Sequence, residues 1–233
     1  MSPSSATGEL PATERPYTHE MVVVHRVFRR ESRFLPRLVR AVPDSETARA
    51  TEVADFLREY TAGLHHHHEL EDELVWPLLR ARAEQDDELV GRMEEQHRRI
   101  DQSLAAVAEW TPLWEQGADA IAREELALAL EEHRTALLEH LDDEEQLVLP
   151  LIAEHLTVAE WDLVGHRGME RLPKNKLMLA LGAILEDATP QERAYFLGKA
   201  PLIGRLLWKA VGRRQYAASC RALRAPLDQG AGR

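Results

Sequence analysis

The chain has 233 residues, enough to bury a full hydrophobic core, and it carries a formal net charge of −11. It is rich in Ala, Leu, Glu and Arg and poor in β-branched and aromatic residues, which predicts an all-α fold. Because Cys220 is the only cysteine, a disulfide scaffold and a thiolate metal site are excluded. No segment has the roughly 20 apolar residues of a membrane span, and residues 1–16 lack the apolar core of a signal peptide. The sequence therefore predicts a cytoplasmic protein, and the negative charge disfavours nucleic acid as a partner.

The charge is unevenly distributed along the chain. Residues 165–233 contain 13 Lys and Arg against 5 Asp and Glu, a net charge of +8, so the first 164 residues carry −19. The sequence thus predicts three parts, namely a flexible arm (residues 1–16), a helical domain (residues 17–156) and a helical basic extension (residues 157–233). We expect the extension to dock on the acidic domain. Residues 202–214, which are apolar and basic, also suit a membrane surface or a partner helix, although the charge favours docking.

Four long amphipathic helices are predicted in the helical domain, at residues 18–41, 46–83, 86–110 and 118–155. In each of them apolar residues recur every three or four positions. Thr111-Pro112 is expected to end the third helix, because proline breaks the helical hydrogen-bond pattern. Short connections between long helices favour an up-down-up-down four-helix bundle, which short helices of the extension would follow.

Each predicted helix has metal-binding side chains within its apolar stripe. These side chains are His25 in the first helix, His67 and Glu71 in the second, His97 in the third, and His140 and Glu144 in the fourth. Residues four apart share a helix face, so each His-x-x-x-Glu pair offers an imidazole and a carboxylate at one level. An isolated pair of this kind is usually a surface contact worth about 0.2 to 0.5 kcal/mol. Burying all six groups without compensation would cost several kcal/mol each, so the pattern predicts a metal site.

The second and fourth helices repeat each other at an offset of 73 residues. His67 corresponds to His140, Glu71 to Glu144 and Pro77 to Pro150. Two helices that present equivalent ligands are suited to holding two metal ions, with carboxylates as bridges and imidazoles as terminal ligands. Nitrogen and oxygen ligands favour iron or manganese and disfavour copper(I) or iron–sulfur clusters.

The motifs HHELEDELVWP, EEQHRRID and HLDDEEQLVLP, together with His25, resemble those of the hemerythrin-like cation-binding (HHE) domains. The resemblance covers about residues 21–155. It implies a non-haem di-iron site with an oxo or hydroxo bridge in a left-handed bundle, able to react with dioxygen or peroxide. Manganese and zinc are possible substitutes for iron. The ligands that it implies are His25, His67, His97 and His140 as terminal ligands and Glu71 and Glu144 as bridges.

Four further residues are weaker candidates for the site. Asp101 stands four residues after His97, where the oxygen-carrying hemerythrins have a second histidine. Unless Asp101 is a ligand, one iron position is expected to be open, which favours reactivity over oxygen carriage. His68 is rotated about 100° from His67 and becomes a ligand only if the helix is rotated locally. Tyr60 and His133, which are equivalent in the repeat, line an oxygen pocket, donate hydrogen bonds to ligands or serve as core residues.

The leading functional hypothesis is a di-iron protein that binds or reduces dioxygen or peroxide. One alternative is an oxygen-activating oxidase that acts on a small organic substrate, because an open iron position favours such chemistry. The other is an iron- or oxygen-sensing regulatory protein whose basic extension engages a partner. The sequence indicates neither a substrate nor an oligomeric state.

Overall fold

The computed structural model describes residues 15–230, and these residues are helical without β-strands, which confirms the all-α prediction. The helices are α1 (His19–Arg40), α2 (Thr47–Leu74), α3 (Trp76–Arg82), α4 (Asp87–Gly117), α5 (Ala120–Asp143), α6 (Leu149–His155), α7 (Val158–Arg171), α8 (Leu177–Glu186), α9 (Pro190–Lys199), α10 (Leu202–Leu207) and α11 (Arg213–Gly230). A 3₁₀ turn (Glu84–Asp86) precedes α4, and π-helical turns (Glu144–Val148 and Trp208–Gly212) precede α6 and α11. The predicted flexible arm lies, up to residue 14, outside the described residues.

Two predicted helices are interrupted at the same place in the repeat. The predicted helix 46–83 divides at Val75 into α2 and α3, and the predicted helix 118–155 passes through the π-helical turn at Glu144–Val148 between α5 and α6. Pro77 and Pro150 follow these interruptions, and proline has no N–H for the carbonyl group four residues earlier. The prediction of one continuous helix was therefore wrong at Val75, whereas residues 120–155 stay helical and change from α to π geometry at Glu144–Val148.

The third helix is longer than predicted, because α4 continues through Pro112 to Gly117. The expectation that Thr111-Pro112 ends it was wrong. Trp114, in the added turns, is fully buried, so packing of its ring offsets the missing hydrogen bond at the proline. Ala118, with a left-handed φ of 48°, ends the helix.

The long helices enclose two apolar clusters. Both α2 and α5 pack against α1 and α4. One cluster includes Phe28, Leu64, Ile100, Leu137 and Leu141, and the other includes Met21, Leu70, Met93, Val148 and Ile152. Along α1, α2, α4 and α5 the predicted metal-binding residues fall between members of the two clusters. The polar layer is therefore closed by apolar side chains on both sides.

The C-terminal extension lies against the long helices. Helix α7 packs against α2, while α8 and α11 pack against α1. Arg224 Nη2 of α11 donates to Oε1 of the buried Glu31 at 3.0 Å, and Lys199 Nζ donates to Glu20 at 2.8 Å. Capping boxes begin α7 at Thr157 and α9 at Thr189. Among the described residues, no helix has both the length and the apolar character that crossing a membrane requires.

Candidate metal centre

Two groups of histidine and glutamate side chains lie in the interior of the described part of the chain. The first group consists of His25, His67, Glu71 and Glu144, and the second consists of His68, Glu71, His97 and His140. Within each group, the ligand atoms all lie within 4.8 Å of one another. Because Glu71 belongs to both groups, the two candidate ion positions are adjacent and share a carboxylate.

The first group joins α1, α2 and the π-helical turn that follows α5. Nε2 of His25 lies 3.2 Å from Nε2 of His67 and 3.2 Å from Oε2 of Glu144. Nε2 of His67 lies 3.2 Å from Oε1 of Glu71. The nitrogen and oxygen atoms that converge here are ligand types that iron, manganese and zinc accept.

The second group joins α2, α4 and α5. Nε2 of His97 lies 3.4 Å from Oε2 of Glu71, and the His97 ring stacks on the His68 ring with 4.1 Å between centroids. The His140 ring centroid is 4.7 Å from that of His97. Glu71 therefore presents Oε1 to the first group and Oε2 to the second, which is the arrangement of a carboxylate that bridges two cations.

Several atoms at the centre of the two groups are buried without a hydrogen bond. They are Nε2 of His68, His97 and His140 and both carboxylate oxygens of Glu71 and Glu144. Leaving one buried polar group unsatisfied costs about 1 to 3 kcal/mol, and more if it is charged. A cation at each position would bind these lone pairs, so the residues present fit two bound metal ions.

Hydrogen bonds on the outer side orient three of the histidines. Nδ1 of His25 donates to Oε1 of Glu145 at 2.9 Å, and Nδ1 of His97 donates to Oδ1 of Asp72 at 2.9 Å. Nδ1 of His140 donates to Oε1 of Gln96 at 3.3 Å. A proton held on Nδ1 leaves the Nε2 lone pair directed inward, which is how proteins commonly prepare histidine ligands.

Asp72 and Glu145 are equivalent in the 73-residue repeat, whereas no feature of the sequence points to Gln96 as an orienting group. Gln96 Nε2 also donates to Asp143 at 2.8 Å, which fixes its amide oxygen toward His140. Gln96 directly precedes His97 in the chain, and nothing in its spacing distinguishes it from the other polar residues of α4.

The charges at the centre are consistent with a cation site. Burial and the neighbouring Glu144 carboxylate raise the pKa of Glu71 above its usual range. Burial opposes protonation of His97, but the hydrogen bond to Asp72 and the negative charge of the nearby Glu71 outweigh it and raise the pKa of His97 to about 10. Without a metal, the carboxylates thus hold a proton on a neighbouring imidazole. Metal binding would displace that proton, as is usual for histidine ligands.

The consecutive residues His67 and His68 both face the interior because α2 is covered on two sides. Side chains one position apart differ by about 100° around a helix. His67 lies beside His25 of α1, while His68 lies beside His97 of α4. Helical periodicity indicates one narrow buried stripe and so selects His67 alone, whereas the structure brings both histidines into the candidate centre.

Tyr60 and His133 form a buried pair with each other. Tyr60 Oη donates to Nε2 of His133 at 2.8 Å, and Nδ1 of His133 donates to Ser103 Oγ at 3.0 Å. Burial lowers the pKa of His133 to about 4, so the ring is neutral at pH 7. The Phe28 ring lies 6.2 Å from that of Tyr60 and 5.1 Å from that of His67, so it stands between this pair and the ligand groups.

Asp101 is not brought to the centre. Its side chain is 55% exposed and its nearest described ionic contact is Nδ1 of His65, at 3.9 Å. It belongs to neither ligand group. The second α4 histidine of the oxygen-carrying hemerythrins, which Asp101 replaces in this sequence, has a counterpart here in His68 of α2.

The comparison with protein families covers the same part of the chain. The family model of the hemerythrin HHE cation binding domain matches residues 17–152. This segment is more than half of the chain and contains every residue of the two ligand groups. No match was found among curated proteins or among solved structures. The chain therefore belongs to the hemerythrin HHE cation-binding domain family.

Proposed function

We propose that this protein holds two iron ions and binds or reduces dioxygen or peroxide. The observation that supports the proposal most is the shared Glu71, whose two oxygens face two separate groups of buried, unpaired ligand atoms. We further propose that α1, α2, α4 and α5 form the up-down-up-down bundle of this family. The proposed ligands of the two iron ions are His25, His67 and Glu144 at one ion, His68, His97 and His140 at the other, and Glu71 at both.

Iron would supply the redox chemistry, and the chain supplies its setting. The apolar clusters on both sides of the polar layer limit access of water, which affects the redox potential of a bound metal. Asp72, Gln96 and Glu145 hold protons on the outer nitrogens of three histidines. The chain thereby keeps the inner nitrogens free to bind metal. Manganese and zinc accept the same ligand types and are the competing occupants.

The proposal is tested by loading the protein with ferrous iron under anaerobic conditions and then admitting oxygen. We expect two irons per chain and new near-ultraviolet charge-transfer absorption after exposure to oxygen. Metal analysis of protein purified without added metal would identify the metal bound in the cell. A colourless protein that binds less than one iron would contradict the proposal.

The variant Glu71→Ala tests the shared carboxylate. We expect it to lose two-iron loading, because both ion positions use this side chain. Asp101→Ala is the matched control, since this acidic residue is exposed and lies outside both groups. Normal two-iron loading in Glu71→Ala would refute its bridging role, and a loss in Asp101→Ala would refute the ligand set.

The two alternative functions differ in their products. The oxidase hypothesis drew on an open iron position near Asp101, and the placement of His68 in the second group weakens that argument. An oxidase would consume oxygen and form an organic product in proportion. An iron- or oxygen-sensing regulator would instead change the contacts of its extension on iron removal, which hydrogen exchange measures. Cytoplasmic residence stays a prediction from the sequence.

A further inference from the structure

An exposed apolar face runs along α10 and the π-helical turn that follows it. The exposed fractions are 64% for Leu202, 72% for Ile203, 59% for Leu206, 51% for Leu207 and 57% for Val211. These residues recur at intervals of three and four positions, so they share one side of the helical segment. A contiguous exposed patch of large aliphatic side chains, unlike scattered single residues, indicates an interaction surface.

The other side of this segment is fixed to the rest of the protein. Trp208 packs against the apolar cluster that contains Val23 and Leu185. Gly212 is buried and packs closely against α8, since a Cβ atom at this position would lie 3.1 Å from Sδ of Met178. The segment is therefore anchored through one side, which leaves the aliphatic side facing outward.

Cationic side chains accompany the apolar face. Arg205, Lys209, Arg213 and Arg214 lie in or directly after the segment, and the sequence has no acidic residue between Glu192 and Asp228. Within the described part of the chain, none of these four cations forms an ion pair with a carboxylate, whereas Lys199 and Arg224 pair with glutamates of α1. Cations of the docked part of the extension are thus paired with carboxylates of α1, whereas the four cations of this segment remain available to an external partner.

We propose that residues 202–214 bind the surface of an anionic lipid bilayer, with the aliphatic face inserted at the boundary between headgroups and acyl chains. Helical segments with an apolar face and flanking Lys and Arg lie in this plane and are attracted by anionic lipids. The five side chains project outward without an acidic residue among them. A bilayer accepts such projecting groups without a complementary groove. The proposal keeps docking for the rest of the extension and assigns this one segment to a membrane surface.

Binding to vesicles tests this proposal with the full-length, iron-loaded protein. Vesicles of phosphatidylcholine alone are compared with vesicles in which one third of the lipid is phosphatidylglycerol. We expect flotation with the anionic vesicles, little flotation with the neutral ones, and weaker binding at high salt, because salt screens exposed charges. The double variant Ile203→Glu/Leu206→Glu should weaken binding at least about tenfold, because it removes two inserted side chains.

Ile121→Glu is the matched control, since Ile121 is 74% exposed on α5 and lies outside the proposed surface. It should bind anionic vesicles as the unmodified protein does. Thermal unfolding of each variant shows whether the fold is intact, and exposed positions are expected to tolerate the change. Absence of flotation, equal binding by the double variant, or equal binding to neutral vesicles would overturn the proposal. The proposal would also be overturned if the unmodified protein formed a concentration-dependent dimer and did not bind vesicles, and if the double variant abolished that dimer.

Discussion

At the scale of single residues, the candidate centre depends on Glu71 more than on any other side chain. Both of its oxygens are buried and unpaired, and they face different histidines, His67 and His97. A charged carboxylate in this position is stable only with cations beside it, because burial without compensation is costly. The same argument applies to Glu144, which lies in the first group only.

Replacing His68 with alanine tests the ligand that the sequence did not select. We expect His68→Ala to retain the first ion and to lose most binding of the second, because His68 lies in the second group alone. His65→Ala is the control, since that side chain is 59% exposed. Iron titration with stoichiometry measured for each variant checks the prediction. Two tightly bound irons in His68→Ala would show that this histidine is not a ligand.

A different prediction applies to Gln96, because it contacts the proposed ligand His140 and belongs to neither ligand group. Gln96→Leu removes the acceptor that orients His140 and should weaken metal affinity by about 10- to 100-fold. Gln102→Leu, at an exposed position of the same helix, should leave affinity unchanged. Competition with a chelator of known affinity measures both values. Equal affinity in the two variants would contradict an orienting role for Gln96.

The six residues proposed from sequence are all brought together, because a repeat and helical spacing constrain which positions share a face. From sequence His68 was only a weaker candidate ligand, and the role of Gln96 as an orienting group was not predicted, for a physical reason. Periodicity identifies one buried stripe per helix, but how wide the buried face becomes depends on how many neighbouring helices cover it. Tyr60 and His133 were recognised as equivalent by the repeat, yet their mutual hydrogen bond depends on packing that the sequence does not specify.

At the scale of helices, the backbone is irregular where the ligands are. Val75 N donates to Glu71 O at 2.9 Å before the chain enters α3, and the π-helical turn begins at Glu144 itself. Such turns are rare and occur often at functional sites. Pro77 and Pro150 mark the place of each irregularity, although the apolar spacing continues through both positions and predicted unbroken helices. Whether the helix breaks, as at Val75, or widens into a π-helical turn, as at Glu144–Val148, depends on which side chains must reach the candidate metal centre.

The added turns of α4 give a prediction about stability. Trp114 is fully buried, so Trp114→Ala should lower the free energy of unfolding by about 3 to 5 kcal/mol. Leu113→Ala, at a neighbouring residue that is 48% exposed, should change it by less than about 1 kcal/mol. Urea unfolding of both variants provides the comparison. Similar losses in the two variants would mean that packing of Trp114 does not sustain the helix past Pro112.

At the scale of the whole molecule, opposite charges hold the extension against the long helices. Glu192 of α9 accepts hydrogen bonds from Arg26 at 2.9 Å and His19 at 2.7 Å, both on α1. A second contact joins Arg224 to Glu31 and Glu186. The sequence indicated the docking through its charge asymmetry, but not which side chains pair, because each pair between the extension and α1 connects residues more than a hundred positions apart.

These contacts should depend on pH. The hydrogen bond from Arg26 is the main cause that lowers the pKa of Glu192 from 4.5 to about 2. The stabilisation from this carboxylate is therefore complete above about pH 4.5 and is lost as the pH falls through about 2. Glu192→Gln should reduce the free energy of unfolding by about 1 kcal/mol at neutral pH, with a difference that shrinks below pH 4.5.

Chemical unfolding of Glu192→Gln and the unmodified protein across this range measures the pH dependence. Glu170→Gln is the control, because Glu170 is exposed and pairs only within α7 among the described residues. It should have a small effect at every pH. A difference for Glu192→Gln that grows as the pH falls would contradict the assigned ion pair.

The most direct test of the central claim is anomalous X-ray diffraction at the iron absorption edge from crystals of the iron-loaded protein. We predict two peaks about 3.5 to 4 Å apart, one within reach of His25 and His67, the other within reach of His97 and His140, with Glu71 between them. A single peak, or two peaks without Glu71 as a shared ligand, would contradict a di-iron centre built on this carboxylate.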